Sequence, residues 1–171
     1  MKRTLYLLRH AKSSWDDPAL PDRDRPLAPR GRKAGKRIAT YLRDEGAAPA
    51  VVLCSSALRT RQTLEAILPA FGGDPELLVE DGLYAATADA LLERVRAVPA
   101  AADSVLLIGH NPGMGDLAFE LAGGGDADAL ERLREGFPTG ALATLAVAAD
   151  AWDELAPGGA ELIAYVVPRE L

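Results

Sequence analysis

The sequence is poor in the residues that build disulfide frameworks and metal centres. Among 171 residues there are one cysteine, Cys54, and two histidines, His10 and His110. A single cysteine excludes an internal disulfide and a cysteine-based structural zinc site, and its apolar neighbours favour a buried, inert thiol. Two histidines alone cannot supply a typical histidine-rich metal cluster. A magnesium site built from carboxylates stays open, although no spacing in the sequence indicates one.

Long hydrophobic runs and an excess of positive charge are also missing. The apolar start of the chain is interrupted by Arg9 and His10 after too few residues for a signal-peptide core, and no run approaches transmembrane length. The formal net charge of −6 argues against a general nucleic-acid binder, which needs a basic field. We therefore expect a cytoplasmic protein with no membrane and no nucleic-acid partner. Its oligomeric state is left open.

The order of apolar segments predicts an α/β fold. The length and the 49% hydrophobic content fit one globular domain over residues 1–171. Predicted strands at 4–8, 50–54, 77–80, 104–108, 141–147 and 161–167 alternate with predicted helices at 29–45, 57–71, 87–98, 114–122 and 126–135. This order is typical of a three-layer α/β/α sandwich with a mostly parallel sheet, here six-stranded with one antiparallel strand. The glycines at 123–125 are interpreted as a break between two helices.

Each histidine ends a strand-like run, His10 after 5–9 and His110 after 105–109. Ligands of open parallel sheets bind at the carboxyl ends of the strands, so we expect the two imidazoles at one rim. Arg9 adds a planar guanidinium that pairs with phosphate or carboxylate. A neutral imidazole nitrogen can attack phosphorus and form a covalent intermediate that water then hydrolyses. Either histidine alone could instead be a hydrogen-bonded loop residue.

Two further segments place phosphate-binding groups at strand ends. After the second strand, Ser55 or Ser56 can cap a helix whose first-turn Arg59 points back into the crevice, whereas Arg61 is expected in solvent. The alternative is a capped helix with two solvated arginines. After the fourth strand, a Gly-His-Asn-Pro-Gly turn presents His110 to the phosphoryl oxygens. Phosphoryl transfer depends on positioning and on stabilising charge on those oxygens, for which these residue types are suited.

Taken in chain order, these segments resemble the histidine phosphatase superfamily. They are Arg9-His10-Ala11, Ser55-Ser56-Ala57-Leu58-Arg59 and Gly109-His110-Asn111-Pro112-Gly113. The stretch from Leu8 to Trp15, Asp24-Arg25-Pro26-Leu27 with Arg30-Gly31, and the short length resemble the SixA-type phosphohistidine phosphatase branch. The resemblance covers nearly the whole chain. It implies a phosphoglycerate-mutase-like fold, no cofactor, His10 as the phosphorylated nucleophile, and Arg9, Arg59 and His110 as the rest of the phosphate pocket.

The general acid is the open point of this resemblance. The superfamily pattern would place a glutamate close to Leu83 and Tyr84, but alanines follow. Glu80 and Asp81 lie just upstream and are the candidate general acids, with a solvated turn residue as the alternative for each. Ala11, in place of the usual glycine of an Arg-His-Gly motif, matches the SixA-type branch.

We expect a phosphatase that works through phospho-His10 and acts on phosphohistidine or another phosphoramidate or phosphomonoester. The partner would be a phosphohistidine protein or a small phosphate compound. One alternative is a small-molecule phosphatase or mutase-like enzyme, although the chain leaves little room to enclose a three-carbon acid. The other is a catalytically silent phosphate- or phosphoprotein-binding module, which the unassigned acid favours.

Three features near the motifs have no assigned role. Residues 16–29 form the longest predicted loop, in the place of a lid or a substrate-contacting segment. Trp15 is either a wall of the pocket or a core residue. A basic run either docks a phosphoprotein or forms a solvated helix face. Its members are Arg30, Arg32, Lys33, Lys36 and Arg37.

Overall fold

The computed structural model describes residues 2–171, which form one twisted sheet with helices on both faces. Within these residues the sheet has seven strands in the order β3-β2-β4-β1-β6-β7-β5. The strands are β1 (Lys2–Arg9), β2 (Val51–Ser55), β3 (Glu76–Glu80), β4 (Ser104–Gly109), β5 (Ala122–Gly125), β6 (Leu142–Ala148) and β7 (Ala160–Val166). Only β6 runs antiparallel to its neighbours, which confirms the mostly parallel sheet with one reversed strand.

The helices make the outer layers of the predicted sandwich. They are α1 (Pro29–Asp44), α2 (Leu58–Ile67), α3 (Ala88–Arg96), α4 (Gly113–Leu121) and α5 (Ala127–Glu135). Alternate side chains of β1 point to opposite faces, as expected for a strand. Leu8 packs with α1 and α2, whereas Leu5 and Leu7 pack with α3, α4 and α5. None of the helices within residues 2–171 has the length and hydropathy needed to cross a membrane.

The glycine run at 123–125 separates α4 from α5, as predicted, but it does so as an edge strand that the sequence did not indicate. Strand β5 pairs parallel with β7 and adds a seventh strand to the six predicted. A Cβ on Gly123 would lie 2.1 Å from the carbonyl oxygen of Gly158, and one on Gly125 would lie 2.2 Å from that of Leu162. The absence of side chains permits this close pairing. A strand held by backbone contacts leaves no apolar alternation for sequence analysis to detect.

Helix boundaries follow local chemistry. Pro29 occupies the start of α1, where its missing N–H matters least, and Gly46 adopts a φ of +68° just after the helix. Thr87 caps α3 by accepting from the backbone N–H of Ala90 at 3.2 Å. The predicted helix 57–71 ends earlier, at Ile67, and continues as a 3₁₀ turn that contains Pro69, which cannot donate to the α-helical ladder.

The sheet order brings the predicted motifs to one rim. Strands β2, β4 and β1 are neighbours, with Cys54 opposite Ile108 and Arg9 opposite Gly109. These strands run parallel, so their carboxyl ends lie at the same edge. His10 follows β1 and His110 follows β4, which places both imidazoles beside the start of α2.

Candidate active site

Four predicted residues surround one cavity at this rim. His10 and His110 are each 6% exposed, and their ring centroids are 5.3 Å apart. Arg59 reaches both rings: its Nε donates to His10 Nε2 and its Nη2 donates to His110 Nδ1, each at 3.3 Å. The cavity has a volume of about 220 Å³, and its lining includes Arg9. The remaining lining residues are Lys12, Ser13, Trp15, Arg25, Asn111 and Thr139.

His10 is held as a neutral imidazole whose Nε2 lone pair accepts a hydrogen bond from Arg59. Its Nδ1 lies 2.7 Å from the carbonyl oxygen of Ala11. Because a carbonyl only accepts, Nδ1 carries the proton and Nε2 carries the lone pair. Burial lowers the pKa of His10 to about 3, helped by the charge of Arg59 and opposed by the Ala11 contact. Thr63 accepts from the Ala11 backbone N–H at 3.0 Å and so fixes the peptide that orients the ring.

His110 is oriented by Ser55, a residue that was predicted to cap α2. Its Nδ1 accepts from Arg59, so the neutral ring donates from Nε2 to Ser55 Oγ at 2.7 Å. Burial, reinforced by Arg59, lowers the pKa of His110 to about 4. The predicted capping role of Ser55 or Ser56 is wrong, because the N-cap position of α2 is Ala57. The Ser55 hydroxyl contacts the Ala57 N–H at 3.3 Å while it holds His110.

Arg9 lines the cavity and has one buried donor without a partner among the described residues. Its Nη1 donates to the carbonyl oxygen of Phe137 at 3.1 Å, which fixes the guanidinium. Its Nε is buried and has no hydrogen-bond partner among residues 2–171. Burial, with the nearby Arg59 charge, lowers the pKa of Arg9. An unsatisfied buried donor is unfavourable in a folded protein, so the position of Arg9 is maintained at an energetic cost.

Asp22 is the residue that sequence analysis missed. It lies in a 3₁₀ turn (Asp22–Asp24) of the long loop after His10. Its carboxylate accepts from Arg59 at 3.0 Å, from Arg25 at 2.9 Å and from the Tyr84 hydroxyl. The Tyr84 hydrogen bond, followed by those of Arg59 and Arg25, holds the pKa of Asp22 well below its usual range. Asp22 is therefore an ionised clamp on the central arginine.

The structure does not place either predicted acid in the cavity. Glu80 accepts from Arg94 of α3 with both oxygens, at 2.7 and 2.8 Å. Asp81 lies at the surface, where it accepts from Arg23 at 2.7 Å. The hydrogen bond from Arg94 lowers the pKa of Glu80. Hydrogen bonds from Ser56 and, to a smaller extent, from Arg23 lower the pKa of Asp81. Strongly bound carboxylates are poor proton donors.

The remaining motif residues occupy distinct environments. Trp15 is a wall of the cavity, 68% exposed, and the Arg25 guanidinium carbon lies 3.2 Å from its ring centroid. Arg61 is exposed, as expected. Cys54 is fully buried, and burial raises the pKa of its thiol to about 12, in line with an inert cysteine.

Comparison with known proteins identifies the class. A model of the histidine phosphatase superfamily (branch 1) matches residues 5–86. A SixA protein of Nakamurella multipartitia, assigned as a phosphohistidine phosphatase, is 38% identical with a TM-score of 0.85, over 98% of this chain and 97% of the other. A second such SixA, from Agrobacterium tumefaciens, is 34% identical with a TM-score of 0.82, over 97% and 98% of the two chains.

Sequence comparison extends this relationship to the mycobacteria. An uncharacterised protein of Mycobacterium tuberculosis is 39% identical over 164 residues, which is 95% of this chain and all of the relative. Fold and site together define a phosphatase with the phosphoglycerate-mutase-like architecture. The chain belongs to the histidine phosphatase superfamily, in its SixA-type branch.

Proposed function

We propose that this phosphatase works through a covalent phospho-His10 intermediate and that its substrates carry phosphohistidine or another labile phosphoryl group. The observation that carries the proposal is the state of His10. The contact with Ala11 fixes the proton on Nδ1, and burial keeps the ring neutral. Nε2 thus presents its lone pair beside Arg59. Such a nitrogen is a competent nucleophile toward phosphorus.

The first step transfers the phosphoryl group to His10. The Nε2 lone pair forms the N–P bond while the bond to the leaving group breaks, and its electron pair departs with that group. The guanidinium groups of Arg9 and Arg59 line the cavity and stabilise the charge on the phosphoryl oxygens, and the Arg59 Nε–H moves from His10 Nε2 to one of those oxygens as the N–P bond forms. His110, whose Nδ1 accepts from Arg59, holds that guanidinium in place. The Ala11 carbonyl stabilises the positive charge that develops on the ring.

The second step returns His10 to its starting state. Water attacks phosphorus, the N–P bond breaks with its electrons returning to Nε2, and phosphate leaves with the proton balance completed by solvent. In this scheme Asp22 positions Arg59 through its side-chain and backbone oxygens, at 3.0 and 2.8 Å. A clamped arginine needs little reorganisation as the charge on phosphorus changes.

The substrate preference follows from the missing proton donor. No carboxyl group among the described residues lines the cavity, and general acid catalysis commonly contributes about 10²–10⁴-fold. Alkoxides should therefore leave slowly. The imidazole of phosphohistidine leaves more easily, because the P–N bond is weaker and the ring takes its proton from solvent. We propose phosphohistidine as the preferred substrate group, with aryl phosphates of acidic phenols also accepted.

A leaving-group series tests this preference. Single-turnover phosphorylation of the enzyme is measured with phosphohistidine, with phosphoserine and with aryl phosphates of graded phenol pKa. We expect a steep dependence on leaving-group pKa and slow reaction of phosphoserine. A flat dependence that becomes steep only in Asp81→Ala or Glu80→Ala would show that a carboxyl outside the cavity donates the proton. That result would make ordinary phosphate esters the preferred substrates.

The absent acid also favours a second candidate, a silent phosphate-binding module. The two candidates differ in turnover: an aryl phosphate is hydrolysed by the enzyme and only bound by the module.

We further propose that the reaction needs no metal ion. Side chains of His, Cys, Asp and Glu within residues 2–171 form no group of three that could hold one. Turnover should persist in a chelator, and restoration of lost activity by a divalent cation would contradict this. The cytoplasmic location stays a prediction.

A further inference from the structure

A second cavity lies beside the catalytic one and is lined by positive charge. It has a volume of about 510 Å³ and shares Lys12 and Thr139 with the catalytic cavity. We call it the cationic cavity. Its cations are Lys12, Arg30, Lys33, Arg37 and Arg169, and no carboxylate of residues 2–171 is among its lining side chains. Its floor is formed by Ala34, Pro138, Val167 and Pro168.

Helical phase selects which members of the basic run face this cavity. Arg30, Lys33 and Arg37 line it, whereas Arg32 and Lys36 of the same helix do not. Positions i, i+3 and i+7 share one face of a helix, so the run is divided into two sets. One face of the basic segment therefore lines a cavity, and the other face does not.

The cationic cavity is fixed to the catalytic one through the backbone. The Ala28 N–H, just before α1, donates to the Lys12 carbonyl oxygen at 2.9 Å. A Cβ on Gly31 would lie 2.1 Å from that oxygen, so only glycine permits the helix to pack here. On the other wall, the Gly140 N–H donates to the His10 carbonyl oxygen at 2.9 Å. A ligand group in one cavity thus lies at a defined position relative to the other.

The five cations form no ion pairs in the part of the chain that the structure describes. Within residues 2–171, none of them lies within salt-bridge distance of a carboxylate, whereas Arg132 contacts both Asp128 and Glu170. All five are exposed and extend from one concave surface. They form a local positive surface on a chain whose net charge is −6. A concave group of like charges focuses the field and attracts an anionic partner.

The exposure of the cations indicates the kind of partner. A small phosphate compound is held by buried, fixed donors, as in the catalytic cavity, whereas these cations are exposed side chains that suit a broad partner. Arg30 and Arg37 are separated by about 10 Å along α1, a distance that several carboxylates on a polypeptide can match.

We propose that the cationic cavity docks acidic side chains of a phosphorylated polypeptide while its phosphoryl group lies at His10. This rests on the proposed function and deepens it, since it adds a recognition element to the phosphohistidine substrate. Lys12, which lines both cavities, joins the docking surface to the reacting group.

Two peptides test the proposal. Each contains one chemically phosphorylated histidine, flanked by glutamates in the first peptide and by glutamines in the second. The wild-type protein should hydrolyse the glutamate peptide with a kcat/KM at least roughly tenfold higher at low ionic strength. The difference should lie in KM and should shrink as salt is added, because exposed charges are screened.

Two triple variants remove equal charge from different faces of α1. Arg30→Ala/Lys33→Ala/Arg37→Ala should abolish the preference for the glutamate peptide through KM, with kcat retained. Arg32→Ala/Lys36→Ala/Arg43→Ala removes three positive charges outside the cationic cavity and should keep the preference. Thermal unfolding of both variants verifies that the fold is intact.

The possible results separate this proposal from the function on which it rests. Equal hydrolysis of both peptides by the wild type would overturn the docking proposal and leave phosphohistidine hydrolysis standing. If both triple variants lose the preference for the glutamate peptide equally, the effect is due to net charge, and the docking proposal is also overturned. Tripolyphosphate is tested as an inhibitor of the wild type and of both triple variants. If it inhibits all but Arg30→Ala/Lys33→Ala/Arg37→Ala, and the two peptides are hydrolysed equally, the cationic cavity binds a small polyanion and the docking proposal is wrong. Turnover of an aryl phosphate but of neither peptide would contradict both the docking proposal and the preference for phosphohistidine, and would leave the phospho-His10 mechanism standing.

Discussion

The two neighbouring cavities both carry positive charge but hold it in different ways. In the catalytic cavity, Arg59 is buried and bonded to two histidines and to Asp22. In the cationic cavity, Arg30 and Arg37 are exposed and have no carboxylate partner within the described chain. Buried, fixed donors suit the stabilisation of a transition state, and exposed cations suit attraction of a partner. Chemistry and recognition can therefore be altered separately.

Among the residues around the nucleophile, the largest effect is expected from Arg59, which contacts both histidines. Arg59→Ala should lower kcat/KM by about 10²–10³-fold, the usual loss for one oxyanion donor. Inhibition by phosphate or vanadate should weaken in parallel. Steady-state kinetics with an aryl phosphate check this. Arg61→Ala, on the exposed side of the same helix, is the matched control and should be nearly silent.

If Arg59→Ala leaves both activity and oxyanion inhibition intact, the guanidinium has no role in the reaction. The double variant with Arg9→Ala should lose less than the product of the two single losses, because both residues act on the same group.

A second effect concerns pH and the two buried histidines. Their pKa values are lowered from 6.5 to about 3 for His10 and about 4 for His110. Below pH 6.5 the unfolded chain takes up protons that the folded chain does not, so folding stability falls as the pH falls from 6.5 toward these values. At pH 5 each histidine should account for about 2 kcal/mol of this loss.

The measurement is the free energy of unfolding at pH 7 and at pH 5. The wild type should lose more stability over this interval than His10→Gln/His110→Gln. Asp22 does not interfere, because its pKa lies below the interval in both states. Equal losses in the two proteins would mean that the histidines are not held neutral. The nucleophile would also remain neutral in acid, so activity should persist well below pH 6.5.

A smaller effect is expected at the residue that holds Arg59. Asp22→Asn keeps the size of the side chain and removes the charge that clamps the guanidinium, so kcat should fall roughly tenfold. Asp24→Asn, in the same 3₁₀ turn and exposed, is the control and should keep the wild-type rate. A rise in KM with an unchanged kcat would assign Asp22 to substrate binding instead of to the positioning of Arg59.

The sequence was sufficient to predict the rim and four of its residues. Strand ends are marked by apolar runs, and a parallel sheet brings such ends together, so His10 and His110 could be placed in one site. The position of Arg59 could be predicted because a first-turn residue of the next helix points toward the same edge. Family resemblance then assigned their roles.

What sequence analysis missed depends on contacts between distant segments. Asp22 is one of several acids in a polar loop, and only the fold shows that it reaches Arg59. Ser55 looks like a helix cap until His110 lies beside it. The glycines of β5 carry no apolar pattern, because backbone pairing with β7 holds them. The basic face of α1 becomes a cavity only with Arg169 and Pro138, far away in the chain.

The measurement that most directly tests the nucleophilic role of His10 is a rapid quench with a labelled phosphoryl donor, followed by peptide mapping. The wild type should yield an adduct on His10 that survives base and is lost in acid, as expected for a phosphorus–nitrogen bond. His110→Ala should form the same adduct more slowly, and His10→Ala should form none. Labelling of His10→Ala, or unchanged turnover by that variant, would contradict the proposed mechanism.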